Sequence, residues 1–78
     1  MRIKIVGKRD VAFQDQATGG QINGTSYHYL YEDQNIDGYG TDKVFVRDNV
    51  RSPFVVGQEY DVYFNRRGKI DLDNVQSR

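Results

Sequence analysis

The sequence predicts an all-β domain of five antiparallel strands. Tyr and Phe, six and four of them, join Val and Ile in supplying most of the apolar side chains, and these residue types are enriched in strands. Apolar and polar residues alternate with the period of two that places them on opposite faces of a strand, and no segment repeats with the period of a helix. Eight glycines suit sharp turns. We therefore expect one all-β domain over residues 1–78.

The first two strands are predicted to be the longest. Residues 2–14 alternate polar and apolar side chains, and Gly7 between the two halves marks the place for a bulge or a sharp bend. Residues 15–20 end in a glycine pair, which favours a turn because glycine accepts positive φ. The second strand then covers residues 21–32.

The other three strands are shorter. They are expected at residues 41–47, 60–64 and 69–75. Asp37-Gly38 is a strong turn signal before strand three, and residues 48–56 are too short for a good helix before strand four. Gly68 occupies the left-handed position of the tight hairpin that follows strand four. The tail at residues 76–78 is expected to fray.

Short connections between five strands indicate a small antiparallel barrel or sandwich, and the long first strand favours the barrel. Closing the sheet into a barrel removes the exposed edges that would otherwise pair with other chains. A long first strand that bends at Gly7 can pair with two parts of such a sheet. The expected architecture is a five-stranded antiparallel barrel without a helix between strands three and four.

Two segments carry a family resemblance. Residues 56–64 enter strand four through a glycine, residues 66–70 form a short final hairpin, and both resemble their counterparts in OB-fold barrels. Over nearly the whole chain, the pattern of strands and turns is similar to small single-stranded DNA-binding proteins of filamentous phages and of Gram-positive conjugative elements and plasmids. The resemblance implies an OB-like barrel that binds single-stranded DNA across strands two and three. The missing helix before strand four and the net charge of zero depart from that family.

Three tyrosines on strand two are candidate stacking platforms. Tyr27, Tyr29 and Tyr31 occupy every second position and therefore form one row. If this row points outward, with Gly24 and Leu30 facing the interior, the rings can stack on bases. The opposite phase buries the rings and leaves their hydroxyls at the barrel rim. A slip of one residue exchanges the two arrangements, and we favour the outward one.

Strand three adds an aromatic ring between two cations. Val44 and Val46 suit the core, so Phe45 is expected on the outside between Lys43 and Arg47. An exposed ring flanked by cations suits stacking on a base together with phosphate contacts. The final hairpin adds three candidate phosphate contacts, Arg66, Arg67 and Lys69.

The formal net charge of zero argues against nucleic-acid binding, because phosphate contacts dominate such binding and usually require a basic excess. An uneven distribution of charge can overcome this objection. Alternation places Arg2, Lys4 and Lys8 on one side of strand one, whereas several acids cluster around the second turn, between Glu32 and Asp42.

Catalysis and membrane insertion have little support. His28 is the single histidine, and no nucleophile motif accompanies it. The strand acids Asp61, Asp71 and Asp73 lack the loop cage of a good metal site, and there is no cysteine. No apolar run is long enough for a signal peptide or a membrane span. We expect a non-enzymatic, cytoplasmic protein that needs no cofactor.

The leading hypothesis is therefore the binding of single-stranded DNA with little sequence preference, in a mobile genetic element. The alternative is a β-barrel adaptor that binds a protein partner through the same aromatic patch. A homodimer would use that patch equally well, because exposed Tyr, Phe and Arg are also enriched in protein interfaces. Salt sensitivity distinguishes the two, since only phosphate contacts predict a strong loss of affinity with salt.

Overall fold

The computed structural model describes residues 1–78 and contains one antiparallel sheet of five strands. The strands are β1 (Arg2–Gln14), β2 (Gln21–Glu32), β3 (Tyr39–Arg47), β4 (Glu59–Asp61) and β5 (Gln76–Ser77), with one turn of 3-10 helix at Leu72–Asn74. Their order in the sheet is β3-β2-β1-β4-β5. The all-β class is confirmed, and β1 pairs with both β2 and β4 as its length suggested.

The sheet is not closed into a barrel, so that part of the expected architecture is wrong. β3 pairs with β2 alone, and its other edge carries no neighbouring strand. The segment that would have to pair with β3 to close the barrel forms only an isolated bridge between Phe64 and Ile70. An open seam therefore separates β3 from the final hairpin.

The end of the chain also differs from expectation. The strand predicted at residues 69–75 does not form beyond one bridge at Ile70, because the Asp71 carboxylate accepts a hydrogen bond from the Asp73 N–H at 3.1 Å and starts the 3-10 turn. The following residues do not fray, since β5 pairs with β4. The Arg78 guanidinium, whose Nε lies 2.6 Å from an Asp61 carboxylate oxygen, anchors the terminus.

A bulge in β1 changes which residues face the core. The register shifts between Ile5, which lies opposite Tyr29, and Gly7, which lies opposite His28. The bulge expected at Gly7 is therefore confirmed, with Val6 as the extra residue. Alternation reverses beyond it, so Arg9 joins the face opposite the core and Lys8 does not.

The core lies under the half of the sheet that includes β4. Its nine buried residues are Ile3, Ile5, Tyr27, Tyr29, Val46, Phe54, Tyr60, Val62 and Ile70. The ladder of β1 and β2 continues past this core to the pair Gln14 and Gln21. The molecule is accordingly elongated, measuring 42 × 25 × 23 Å. None of its helices is long and apolar enough to cross a membrane.

Candidate nucleic-acid interface

The tyrosine row of β2 faces the core, so the outward orientation is wrong and the inward alternative holds. Tyr27 and Tyr29 are only 7% and 4% exposed, and Tyr31 packs against the same core. The Tyr27 ring contacts the Phe54 ring at a centroid distance of 5.4 Å. The chain contains only two Leu, five Ile and one Met, and these rings supply the remaining core volume. Buried rings cannot stack on bases.

The opposite side of β1, β2 and β3 is here called the outer face. Beyond the bulge, the strand register assigns to it Arg9, Val11, Phe13, Ile22, Gly24, Ser26, His28, Lys43, Phe45 and Arg47. This half of the outer face is called its cationic half. The phase predicted for strand three is confirmed, because Val46 is buried and Val44 packs against the core.

Two phenylalanine rings meet on the cationic half. Phe13 on β1 and Phe45 on β3 lie with ring centroids 5.8 Å apart at an interplanar angle of 53°. The strand between them carries Gly24, and an added Cβ there would lie 2.5 Å from Phe45 Cζ. The absence of a side chain on Gly24 therefore lets the rings approach. Phe13 is 46% exposed. Sequence reasoning missed Phe13 because it did not carry the bulge at Gly7 forward into the phase of β1.

The cationic half holds three cations and no carboxylate at any strand position. Arg9, Lys43 and Arg47 belong to it, whereas the register places Asp10 and Asp42, on the same strands, on the core side. The single ion pair of the molecule lies at the C-terminus and involves none of these three cations. A net charge of zero therefore conceals a local excess of positive charge.

The other half of the outer face carries carboxylates beside its cations, Glu32 among them. Arg2 lies opposite Asp61 and Lys4 lies opposite Glu59 across the β1–β4 ladder, and opposite charges attract in such cross-strand pairs. The residue that directly follows β3, Asp48, is a carboxylate and lies outside the cationic half. Within the outer face, the strand cations that lie opposite no carboxylate are thus confined to the half that carries the phenylalanine pair.

The final hairpin brings one predicted cation to the edge of β3. The Asn65 carboxamide oxygen accepts hydrogen bonds from the N–H groups of Arg67 and Lys69 at 3.0 and 3.1 Å, and Gly68 has a φ of 74°. Lys69 and Phe64 then line, together with Lys43 and Phe45, a groove of about 450 Å³ along the open seam. Arg66 and Arg67 are exposed at the hairpin but do not line the groove.

Burial raises the pKa of the Tyr29 hydroxyl, and the charges of Asp42 and Tyr31 raise it further. The folded state therefore retains this proton more tightly than the unfolded state does. The stability that this provides is present below the ordinary tyrosine pKa of about 10 and is lost as the pH rises from that value through the higher pKa of the folded state. We expect the melting temperature to fall as the pH rises above about 10, and to fall less in Tyr29→Phe. Tyr63→Phe is the matched control because Tyr63 is 50% exposed, and an equal fall in both variants would contradict the assignment.

The side chains form no cluster suited to a metal ion. No three His, Cys, Asp or Glu side chains lie close enough together to hold a metal ion. Comparison of this chain with protein-family models, with curated proteins and with solved structures finds no match. The chain is a small all-β protein with a five-stranded antiparallel sheet.

Proposed function

We propose that this domain binds single-stranded DNA, with little sequence preference, on the cationic half of the outer face. One observation carries the proposal: the Phe13–Phe45 ring pair lies among Arg9, Lys43 and Arg47 on a surface whose strand positions hold no carboxylate. Aromatic rings stack on any base, because every base has a π-face, and cations contact the phosphates between bases.

The division of roles differs from the one that the sequence suggested. Stacking belongs to Phe13 and Phe45 instead of the buried tyrosines. The three strand cations provide the first phosphate contacts, and the hairpin residues Arg66, Arg67 and Lys69 extend them beyond the open seam. Two to three phosphates neutralised by the strand cations correspond to a salt slope of about −1.4 to −2, at roughly −0.7 per phosphate. We therefore expect moderate affinity with a clear dependence on salt.

We further propose that this chain is related to the OB-like single-stranded DNA-binding proteins that it resembles. Like them, it would function in a mobile genetic element. The position of β1 between β2 and β4 supports this relation, because a bent first strand shared by two parts of the sheet is what the resemblance implied. The outer surface of β2 and β3 is also where OB folds usually hold their ligands. The open seam is a departure from that barrel, because β3 has a strand neighbour on one edge only.

A protein-binding adaptor is the second candidate, and the edge of β3 favours it. This nine-residue strand has a free edge, and an extended peptide can add to such an edge as a further strand. Exposed apolar residues outside the cationic half, such as Val55 and Tyr63 at 59% and 50% exposure, would suit a protein partner. Neither feature predicts a salt-sensitive affinity for oligonucleotides.

Substitution of Phe45 and of Arg47 tests the proposed roles. Phe45→Ala should weaken the binding of labelled oligo-dT by about 5- to 150-fold, the equivalent of 1–3 kcal/mol per stacked base, without changing the salt slope. Arg47→Gln should reduce the slope by about 0.7 because one phosphate contact is lost. Fluorescence anisotropy at about 50 and 200 mM salt measures both quantities.

Tyr63→Ala is the matched control for Phe45→Ala, because it removes an exposed ring that lies outside the cationic half. We expect it to leave the affinity unchanged. Equal salt slopes for Phe45→Ala and Arg47→Gln would contradict the division of roles. If oligo-dT does not bind even at about 50 mM salt, the DNA proposal is wrong and the adaptor becomes the better explanation.

A further inference from the structure

We propose that the outer face contains a built pocket for one phosphate group, formed by Arg9, Ser26, His28 and Lys43. These four residues, together with the β1 residues Asp10, Val11 and Ala12, line a concavity of about 400 Å³. In the setting of the proposed function, on which this inference rests, the ligand is a backbone phosphodiester of single-stranded DNA. The sequence alone predicted only one of these four residues, Lys43, to take part in binding.

The strand register brings the four side chains together. Ser26 on β2 lies directly opposite Arg9 on β1. His28, the next β2 residue on the same face, lies directly opposite Lys43 on β3. Directly paired residues in an antiparallel sheet have Cβ atoms about 4.5–5.5 Å apart, and diagonal neighbours remain within reach of long side chains. Arg9 and Lys43 can therefore reach over β2 from opposite sides.

Small residues form the floor and one wall of the concavity. Ser26 is 8% exposed and presents only a hydroxyl. The β1 residue opposite His28 is Gly7, and a Cβ added to Gly7 would meet no atom within 4 Å. Glycine therefore leaves no side chain on β1 directly opposite the imidazole. Space for a ligand remains between His28 and β1.

The chemistry of the lining suits an oxyanion. The Arg9 guanidinium offers a fork of donors that matches two phosphate oxygens, and Lys43 adds a point charge. The imidazole and the Ser26 hydroxyl add further donors. Asp10 is the one carboxylate in the lining, and alternation directs its side chain to the other side of β1.

The position of the pocket relates it to the stacking site. Phe45 is the β3 partner of Ser26, so a phosphate held over Ser26 lies beside the ring proposed to stack on a base. One nucleotide can then be held at two points, its phosphate in the pocket and its base on Phe45. Such an arrangement would set the path of the DNA strand across β2 instead of along β3.

Two probes test the pocket, inorganic phosphate and oligo-dT. Amide chemical shifts in ¹⁵N-labelled protein should change at Ser26 and His28 when phosphate is added, and Arg9→Gln and His28→Gln should each weaken this response. The same variants should lower the affinity for oligo-dT about tenfold, which corresponds to one charge-assisted hydrogen bond. They should have much less effect when the oligonucleotide carries uncharged methylphosphonate linkages.

Lys4→Gln is the matched control, because Lys4 is a cation of the same face that lies opposite Glu59. Its effect on both probes should be small. If oligo-dT binds but Arg9→Gln and His28→Gln behave like Lys4→Gln, the pocket is wrong and the proposed function stands. If phosphate shifts Ser26 and His28 but oligo-dT does not bind, the proposed function is wrong and the pocket is supported as a site for free phosphate. If neither probe has an effect, both proposals are wrong.

Discussion

Replacing Ile5 by alanine is expected to leave little folded protein at room temperature. The Ile5 side chain is fully buried at 0% exposure, and truncating such a residue costs about 2–5 kcal/mol because a cavity remains. Domains of this size have only about 3–5 kcal/mol of net stability from their core. Ile5 also joins β1 to the loop before β4, since its N–H donates to Gln58 at 3.0 Å and its carbonyl accepts from Gly57 at 2.7 Å.

Urea unfolding followed by circular dichroism measures this loss. Val6→Ala is the matched control, because Val6 is the adjacent residue and is 46% exposed. We expect the control to change the free energy of unfolding by less than about 0.5 kcal/mol. If Ile5→Ala changes it by as little as Val6→Ala does, the core does not depend on this position in the way that the structure indicates.

Replacing Gly24 by alanine is expected to lower stability and to weaken DNA binding together. Alanine in a strand is normally favoured over glycine by roughly 0.5–1 kcal/mol, so in open space this change would stabilise. Here the new Cβ would lie 2.5 Å from both Phe45 Cζ and the Val46 carbonyl oxygen. The backbone contact cannot be relieved by rotating a side chain. We therefore expect a net loss of about 1–3 kcal/mol.

The displaced Phe45 ring links this loss to binding. Any movement of the ring separates it from Phe13 and disturbs the stacking surface, so the affinity for oligo-dT should fall as the melting temperature falls. Gly7→Ala is the control for stability, since a Cβ at Gly7 meets nothing within 4 Å. A melting temperature for Gly24→Ala equal to or above that of the unaltered protein would show that Phe45 and Val46 adjust freely to the added atom.

Local patterns were sufficient to predict the first half of the fold. The bounds of β1 and β2 agree with the alternation at residues 2–14 and 21–32, and Gly7 lies at the bulge. Each of these features depends on neighbouring residues only. The last strand was mispredicted because Ile70 and Leu72 alternate like strand residues, whereas the hydrogen bond of the Asp71 carboxylate imposes a 3-10 turn.

Features that depend on distant pairing could not be predicted in the same way. Closure of the barrel requires the segment near Phe64 to meet β3 across a seam, and no local pattern determines that distance. The candidate site was predicted in part. Lys43, Phe45 and Arg47 lie on the outer face because Val44 and Val46 are strong core residues. The tyrosine row has no such neighbours on its own strand, and its orientation follows from the pairing of Tyr27 with Val44.

The pairing of Tyr27 with Val44 could have been used to predict which way the tyrosine row faces. Once Val44 is placed in the core, the length of the turn between β2 and β3 decides which β2 residues share its face. The turn closes with Glu32 opposite Tyr39, so odd-numbered residues of β2 lie beside even-numbered residues of β3. A turn of one residue more or less would have exposed the tyrosines.

The extra residue in β1 has a consequence for how related chains would have to be compared. The Val6 side chain is exposed and does not belong to the core. The bulge at Val6 nevertheless determines that Arg9, Val11 and Phe13 share a surface with Phe45. A homologue in which β1 paired through this position without a bulge would keep its composition, its strands and its core, while Lys8, Asp10 and Ala12 would occupy the surface instead. Ala12 would then replace the Phe13 ring and Asp10 would replace Val11, so the bulge determines which side chains a ligand would meet without changing the fold.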